Sequence, residues 1–449
     1  MIANNTRTNF KRLPVGDRTL FFLFAHIPLA YLVNKSAYAA TAYALFLLFL
    51  GLSYLSKRSN EFKFICLVSY MSSAEVLWRM GHAKVFWEYG KYGIGFLLVF
   101  ALLKTKRIKR SDQKALIYFL LLIPSIFVMP YFDRELISFN LSGPFLLSLA
   151  VLYFSTVKFN QHQTVILLTA LLAPLIGAAF LATSGTMALG HVTITESSKL
   201  TSAGYGPNQM SSMLGLGALV AFLLTLMTKE KRTFSILMAC ICIWMLTQCA
   251  LTFSRGGFWS AIGAMAILSF YLLQSRKYKK YLLVTLALSL IVIQLVVLPG
   301  IEQLTQGSVS SRMQSTDLTG RDKIIRSEWA VFKDNPIFGV GPGMAYDLRA
   351  LYFKASHAHT EYTRLLAEHG IFGALAIILL FFIILKNFSK GGVFGRALSL
   401  SFQFWAMIFM LHAAMRLAAC PFVFGLGTAI FAGEIYLQSQ NRSLKPHLA

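Results

Sequence analysis

The sequence predicts an all-α, polytopic membrane protein: a helical bundle of about 12–14 spans with one large, partly helical loop outside the cytoplasm. Three observations predict it. Of 449 residues, 56% are hydrophobic and only 13% charged, whereas a soluble domain carries about a quarter charged residues. The apolar residues fall in long runs that read as helices, because lipid leaves no partner for an unpaired backbone group. The alternation expected of a membrane β-barrel is absent. The lysines and arginines sit in short clusters between the runs, as the positive-inside rule expects. That placement removes the nucleic-acid reading that a net charge of +24 invites.

Taken in order, residues 1–17 form a basic leader with Arg7, Lys11 and Arg12. The run after it, 18–34, is followed by no A-x-A cleavage signal and is expected to remain as an anchor. Further runs occupy 37–55, 62–79, 91–103, 115–131, 143–158, 164–182, 208–228, 234–253, 257–273 and 281–299. Beyond a polar stretch come 370–386, 397–413 and 419–437, fourteen runs in all, of which short ones could be re-entrant or merged. Three regions follow: an N-terminal bundle over 1–299 with about 11 spans, a loop over 300–369, and C-terminal helices with a tail over 370–449. Cys66, Cys240, Cys242, Cys249 and Cys420 all lie in apolar runs and offer neither a disulfide framework nor a zinc spacing.

Charge asymmetry sets the orientation. Lys57–Arg58, the Lys104–Lys114 cluster, Lys229–Arg232, Arg276–Lys280 and Lys386–Arg396 fall in even-numbered connections, and Arg442 and Lys445 in the tail. The odd-numbered connections are nearly free of positive charge until the loops at 183–207 and 300–369. Both termini are therefore expected in the cytoplasm and the long loop outside it.

The polar groups on that outer side are the candidates for chemistry. Arg255 lies in FSRGG, where two glycines let the chain turn and give the guanidinium room; the alternative is a helix-end arginine snorkelling to headgroups. Arg321 opens an amphipathic helix whose Ile324, Ile325 and Trp329 are expected to pack down; its alternative is an ion pair with Asp322 or Asp317. The GVGPG at Gly339–Gly343 reads as a turn or as an anion-binding nest of amides. On a 3.6-residue period, His359, Tyr362, Thr363 and Leu366 share one helix face, while Glu361, Arg364 and Glu368 share another. Arg364 is thereby explained as an intrahelical ion pair. His359 has no such local explanation. His357, Arg364, His412, Arg416 and Lys199 are secondary candidates; His412 and Arg416 stand four apart at another outer helix boundary, where interfacial anchoring is the alternative.

These residue types suit one chemistry. Arginines offer planar forks to the oxygens of a diphosphate. A histidine titrating near neutrality can take a proton from a hydroxyl. Together they suit group transfer from a lipid diphosphate to an alcohol. No metal or other cofactor is expected, since the only closely spaced outer carboxylates, Asp133 and Glu135, read as a solvated loop.

FSRGG, then GR…W…NPIFGVGPG, then AHTEYTRLLAEHGIFG ahead of a membrane span resembles the O-antigen ligase/polymerase family of bacterial membrane proteins. The resemblance runs from about Asn208 to Gly373, with AAMR at Ala413–Arg416 extending it. It implies a metal-independent glycosyltransferase of the all-helical, lipid-donor (GT-C-like) type. Such an enzyme would take a glycan from undecaprenyl diphosphate on the periplasmic face of the bacterial inner membrane. By motif, Arg255 and Arg321 would match the diphosphate-binding arginines and His359 the catalytic histidine. Thr360 departs from the asparagine often found after that histidine. The leading expectation is transfer of O-antigen to a lipid A-core hydroxyl. Glycan polymerisation and transfer to a protein hydroxyl share the donor chemistry. A lipid-linked-oligosaccharide transporter would favour inverted repeats and charges at mid-membrane, and the informative charges here sit on one face.

Overall fold

In the computed structural model, the structure describes residues 15–105, 113–192, 196–315, 320–353, 358–388 and 391–432. The fold is an all-α polytopic bundle. Its helices are α1 (Asp17–Phe24), α2 (His26–Lys35), α3 (Ala37–Leu55), α4 (Glu61–Met80), α5 (Tyr89–Thr105), α6 (Lys114–Leu120), α7 (Arg134–Phe154), α8 (Gln161–Met187) and α9 (Pro207–Met227). There follow α10 (Arg232–Leu251), α11 (Arg255–Leu273), α12 (Arg276–Val292), α13 (Leu298–Thr305), α14 (Ser308–Gln314), α15 (Arg321–Asp334), α16 (Ala345–Leu348), α17 (Glu361–Asn387), α18 (Val393–Ala413) and α19 (Ala419–Leu426).

Burial sorts the bundle into centre and rim. The apolar windows of the α8 and α9 spans are 89% and 100% buried, against 6% for the span containing α12 and α13. Thus α9 is the core post, packed by α8, α10 and α11, while α12 turns nearly all its apolar surface outward, as lipid allows. Local signals start several helices. Asn160 and Gln163 form a reciprocal capping box on α8. Asp133 caps α7 by accepting from the amides of Glu135 and Leu136. Asp133 and Glu135 thus begin a helix, where the sequence suggested only a solvated loop.

Among the described residues, nine helices are long and apolar enough to cross a membrane. Five of the fourteen apolar runs are missing from that set. The run at 62–79 forms α4, which carries Glu61, Lys63, Glu75 and Arg79, and the run at 91–103 forms α5, only 17 residues long. The remaining three are broken up. The first is broken between α1 and α2. The run at 115–131 forms the short α6 and a 3-10 turn at Pro124–Val128. The run at 419–437 forms α19 and a strand, β2 (Ile430–Phe431), paired in parallel with β1 (Lys158–Phe159); residues 433–437 lie outside the described residues. At the lysine-rich end, Lys104 donates to the carbonyls of Leu55 and Ser56 and Lys229 to that of Lys277.

Candidate active site at one end of the bundle

The opposite end gathers four arginines. Arg255 starts α11 and donates to the Ser315 carbonyl. Arg312, on α14, reaches the Phe253 carbonyl at 3.4 Å. Arg321 opens α15 and donates to Asn208 Oδ1 at 3.3 Å; Ser254 donates to the same oxygen at 2.8 Å. Arg416, between α18 and α19, holds the Ala358 carbonyl at 2.7 Å. Burial, then the charges of Arg255, Arg312 and Arg416, pull the Arg321 guanidinium below its ordinary pKa. Among the described residues Arg321 makes no ion pair, and Asp317 lies outside them. Such a gathering of like charge is unfavourable alone and is relieved by an anion.

The FSRGG turn differs from its reading in sequence. Phe253, with φ of +58°, makes the break between α10 and α11. The two glycines serve close packing instead. A Cβ at Gly256 would lie 2.3 Å from the His412 ring, and one at Gly257 would lie 2.2 Å from the Ser211 carbonyl carbon. His412 is thereby held beside the arginines. Its Nδ1 donates to the Ile408 carbonyl at 2.8 Å and its Nε2 lies 2.8 Å from Ser212 Oγ. It is within electrostatic reach of Arg321 and His359.

His359 does not lie on the helix. α17 begins at Glu361, and Thr360 is its N-cap, accepting from the Tyr362 amide at 3.2 Å. His359 therefore sits just ahead of the helix, half-buried, and the face assigned to it from the helical period is corrected. Its position is set by the cap on one side and by Arg416 gripping Ala358 on the other. Thr360 explains its own departure from the family pattern: threonine and asparagine are both good N-caps. His357 lies outside the described residues.

α15 is amphipathic with a different stripe from the one expected. Ile324, Ser327, Glu328 and Val331 are buried, whereas Ile325 and Trp329 are exposed. The buried stripe turns Glu328 toward Arg349, at 2.7 Å, and toward Thr363. Burial pushes the Glu328 carboxyl up to about 7, with Arg349 acting in the opposite direction.

GVGPG is a clasp. The Val340 and Gly341 amides donate to the Ala367 and Glu368 carbonyls at 3.1 and 3.0 Å. Those carbonyls are free because α17 breaks at Gly370, with φ 59° and ψ −137°. A Cβ at Gly370 would lie 2.5 Å from the Ile337 carbonyl oxygen, and one at Gly339 would lie 2.3 Å from the Glu368 carbonyl carbon. Amides engaged this way are not an anion nest.

Arg364 forms the expected intrahelical pairs, with Glu361 and, at 2.6 Å, Glu368, and also holds Asn140. These residues line a cavity of about 240 Å³ that also meets Lys91, Tyr346, Arg349, Ala358 and Arg416. The structure thus brings Arg255, Arg321, Arg416, His412 and His359 together, with Arg364 on the adjoining cavity. Lys199 is exposed on the loop before α9. Arg312 and Asn208 escaped the sequence reading. Asn208 was visible as a polar residue opening an apolar run, Arg312 carried no local signal, and only the packing of α9 and α14 brings them to Arg321. Among the described residues, no three His, Cys, Asp or Glu side chains form a group that could hold a metal ion.

No curated protein matches the chain. A family described as O-antigen ligase matches residues 240–378, a segment that begins later than the resemblance at Asn208 and stops short of Arg416. It contains Arg255, Arg312, Arg321, Arg349, His359 and Arg364. The arginines and histidine of the matched segment converge at one end of a membrane-spanning bundle, and over residues 240–378 the chain is similar to the O-antigen ligase family.

Proposed function

We propose that the protein transfers a glycan from undecaprenyl diphosphate to a hydroxyl of lipid A-core, at the periplasmic face of the bacterial inner membrane. The single observation that carries this reading is the convergence of Arg255, Arg312, Arg321 and Arg416 beside His359 and His412. Both termini are cytoplasmic in this reading, because the lysine clusters gather at the other end. The bundle over 1–299 and the helices after 370 form the frame, and 300–369 is the periplasmic loop carrying the reacting groups.

In the proposed step, Arg255 and Arg321 fork the two phosphates of the donor. His359 takes the proton of the acceptor hydroxyl, whose oxygen attacks the anomeric carbon. The bond from that carbon to the phosphate oxygen breaks, and the arginines take up the charge on the departing lipid diphosphate. The guanidinium groups supply the positive charge that a metal would otherwise bring, so the mechanism is metal-independent.

The test is replacement of Arg255 and Arg321 by lysine, at equal protein level. A point charge cannot make the bidentate contact, and each lost charge-assisted bond weakens binding by roughly 1.5–3 kcal/mol. The donor KM should rise by about tenfold or more in each variant, while the acceptor KM stays near wild type. Wild-type donor kinetics in both would remove diphosphate binding from these arginines.

A further inference from the structure

The transferase reading leaves the cavity beside the arginines without an occupant, and its polar chemistry is specific. Its walls are charged, and most of the charges are paired. Lys91 pairs with Glu88 at 2.5 Å, Arg349 with Glu328 at 2.7 Å, and Arg364 with both Glu361 and Glu368. Adding Arg416 and Asp347 from the lining, four cations stand against five carboxylates, of which Glu88 and Glu328 lie behind the wall.

The remaining hydrogen-bonding capacity is equally lopsided. An arginine has five N–H donors. Those of Arg364 are engaged: Nε with Glu361, Nη1 with Asn140 and Glu368, and Nη2 with Asn140 and Glu361. Each carboxylate has about four lone-pair sites. Glu361 receives Arg364 and the Met415 amide, so acceptor sites remain. Beside Arg364 a phosphate or carboxylate would meet a saturated guanidinium and the Glu361 and Glu368 oxygens; the open guanidinium donors belong to Arg416, on the border with the arginine cluster. A hydroxyl donor would meet open lone pairs. The volume, about 240 Å³, holds the equivalent of roughly eight waters, the scale of a single sugar ring. The cavity touches Ala358, the residue before His359, so it adjoins the segment that carries the proposed base. Tyr346, half-buried in the lining, offers an aromatic face to the ring.

We infer that this cavity is the subsite for the uncharged sugar ring that bears the acceptor hydroxyl, with Glu361, Glu368 and Tyr346 as its recognition groups. The inference rests on the transferase reading above. It separates an acceptor subsite, bounded by Arg364, from the diphosphate end at Arg255 and Arg321, with Arg416 on the border.

The experiment uses the full chain, reconstituted with lipid-diphosphate-linked glycan and two glycolipid acceptors, one ending in a neutral ring and one carrying phosphate on that ring. Wild type should favour the neutral acceptor by about tenfold or more in kcat/KM. Tyr346→Ala should raise the acceptor KM by a similar factor and leave the donor KM unchanged. Equal or better use of the phosphorylated ring, an unchanged acceptor KM, or a rise in donor KM instead would overturn the subsite. In those cases wild-type transfer itself persists, and the transferase reading stands. Absence of any wild-type transfer to either acceptor takes both down.

Discussion

His359→Ala should lower the rate of transfer by about 10²–10⁴, the range that a positioned general base contributes, and leave the folded bundle intact. The residue precedes α17, whose cap is made by Thr360 and whose first turn is anchored by Glu361 and Arg364. Removing the imidazole therefore leaves the helix start in place. Initial rates with lipid-linked glycan and acceptor, alongside a thermal melt in detergent, separate the two effects. A variant that melts like wild type and turns over at a near-normal rate would remove His359 from the chemistry. His412 should behave differently: it is packed against Gly256 and held by Ile408 and Ser212, so its truncation should disturb the melt as well as the rate.

Arg364→Met should be the most destabilising substitution at this end. It strands two buried carboxylates, Glu361 and Glu368, and leaves the Asn140 carbonyl without the guanidinium it accepts from. Breaking a buried pair from one side costs about 3–5 kcal/mol. Adding Glu361→Gln and Glu368→Gln to the same variant should recover part of the loss, since the stranded charges are then gone. Unfolding followed by near-UV circular dichroism in detergent reads both. A single variant as stable as wild type but inactive would move Arg364 from scaffold to catalysis.

The membrane class and the helical frame were legible in sequence. Long apolar runs leave the backbone one solution; Arg255 stands out as a charge between two such runs, and Arg321 as the start of an amphipathic helix in the long loop. What escaped depends on distant residues. His359 looked helical by spacing, but the helix starts where Thr360 can cap it. FSRGG looked like a glycine turn, yet Phe253 makes the turn and the glycines admit His412 and Ser211. GVGPG looked like an anion nest, and its amides are taken by the carbonyls that the Gly370 break exposes. Arg312 carried no local signal: only the return of α14 to Phe253 shows what it joins. Periodicity reports the repeat within one helix; it misses a local cap such as Thr360 and long-range contacts such as those of Gly256, Val340 and Arg312.

In the proposed reaction a glycosyl bond to a lipid diphosphate is broken and remade on an acceptor hydroxyl without a metal. Purified wild-type protein in vesicles, given undecaprenyl-diphosphate-linked glycan and lipid A-core, tests it directly when both products are quantified with and without EDTA. Glycan should appear on the acceptor in equal amount to the free undecaprenyl diphosphate released, at the same rate in chelator. Glycan that crosses the membrane still attached to its carrier, or transfer that stops in EDTA, would contradict it.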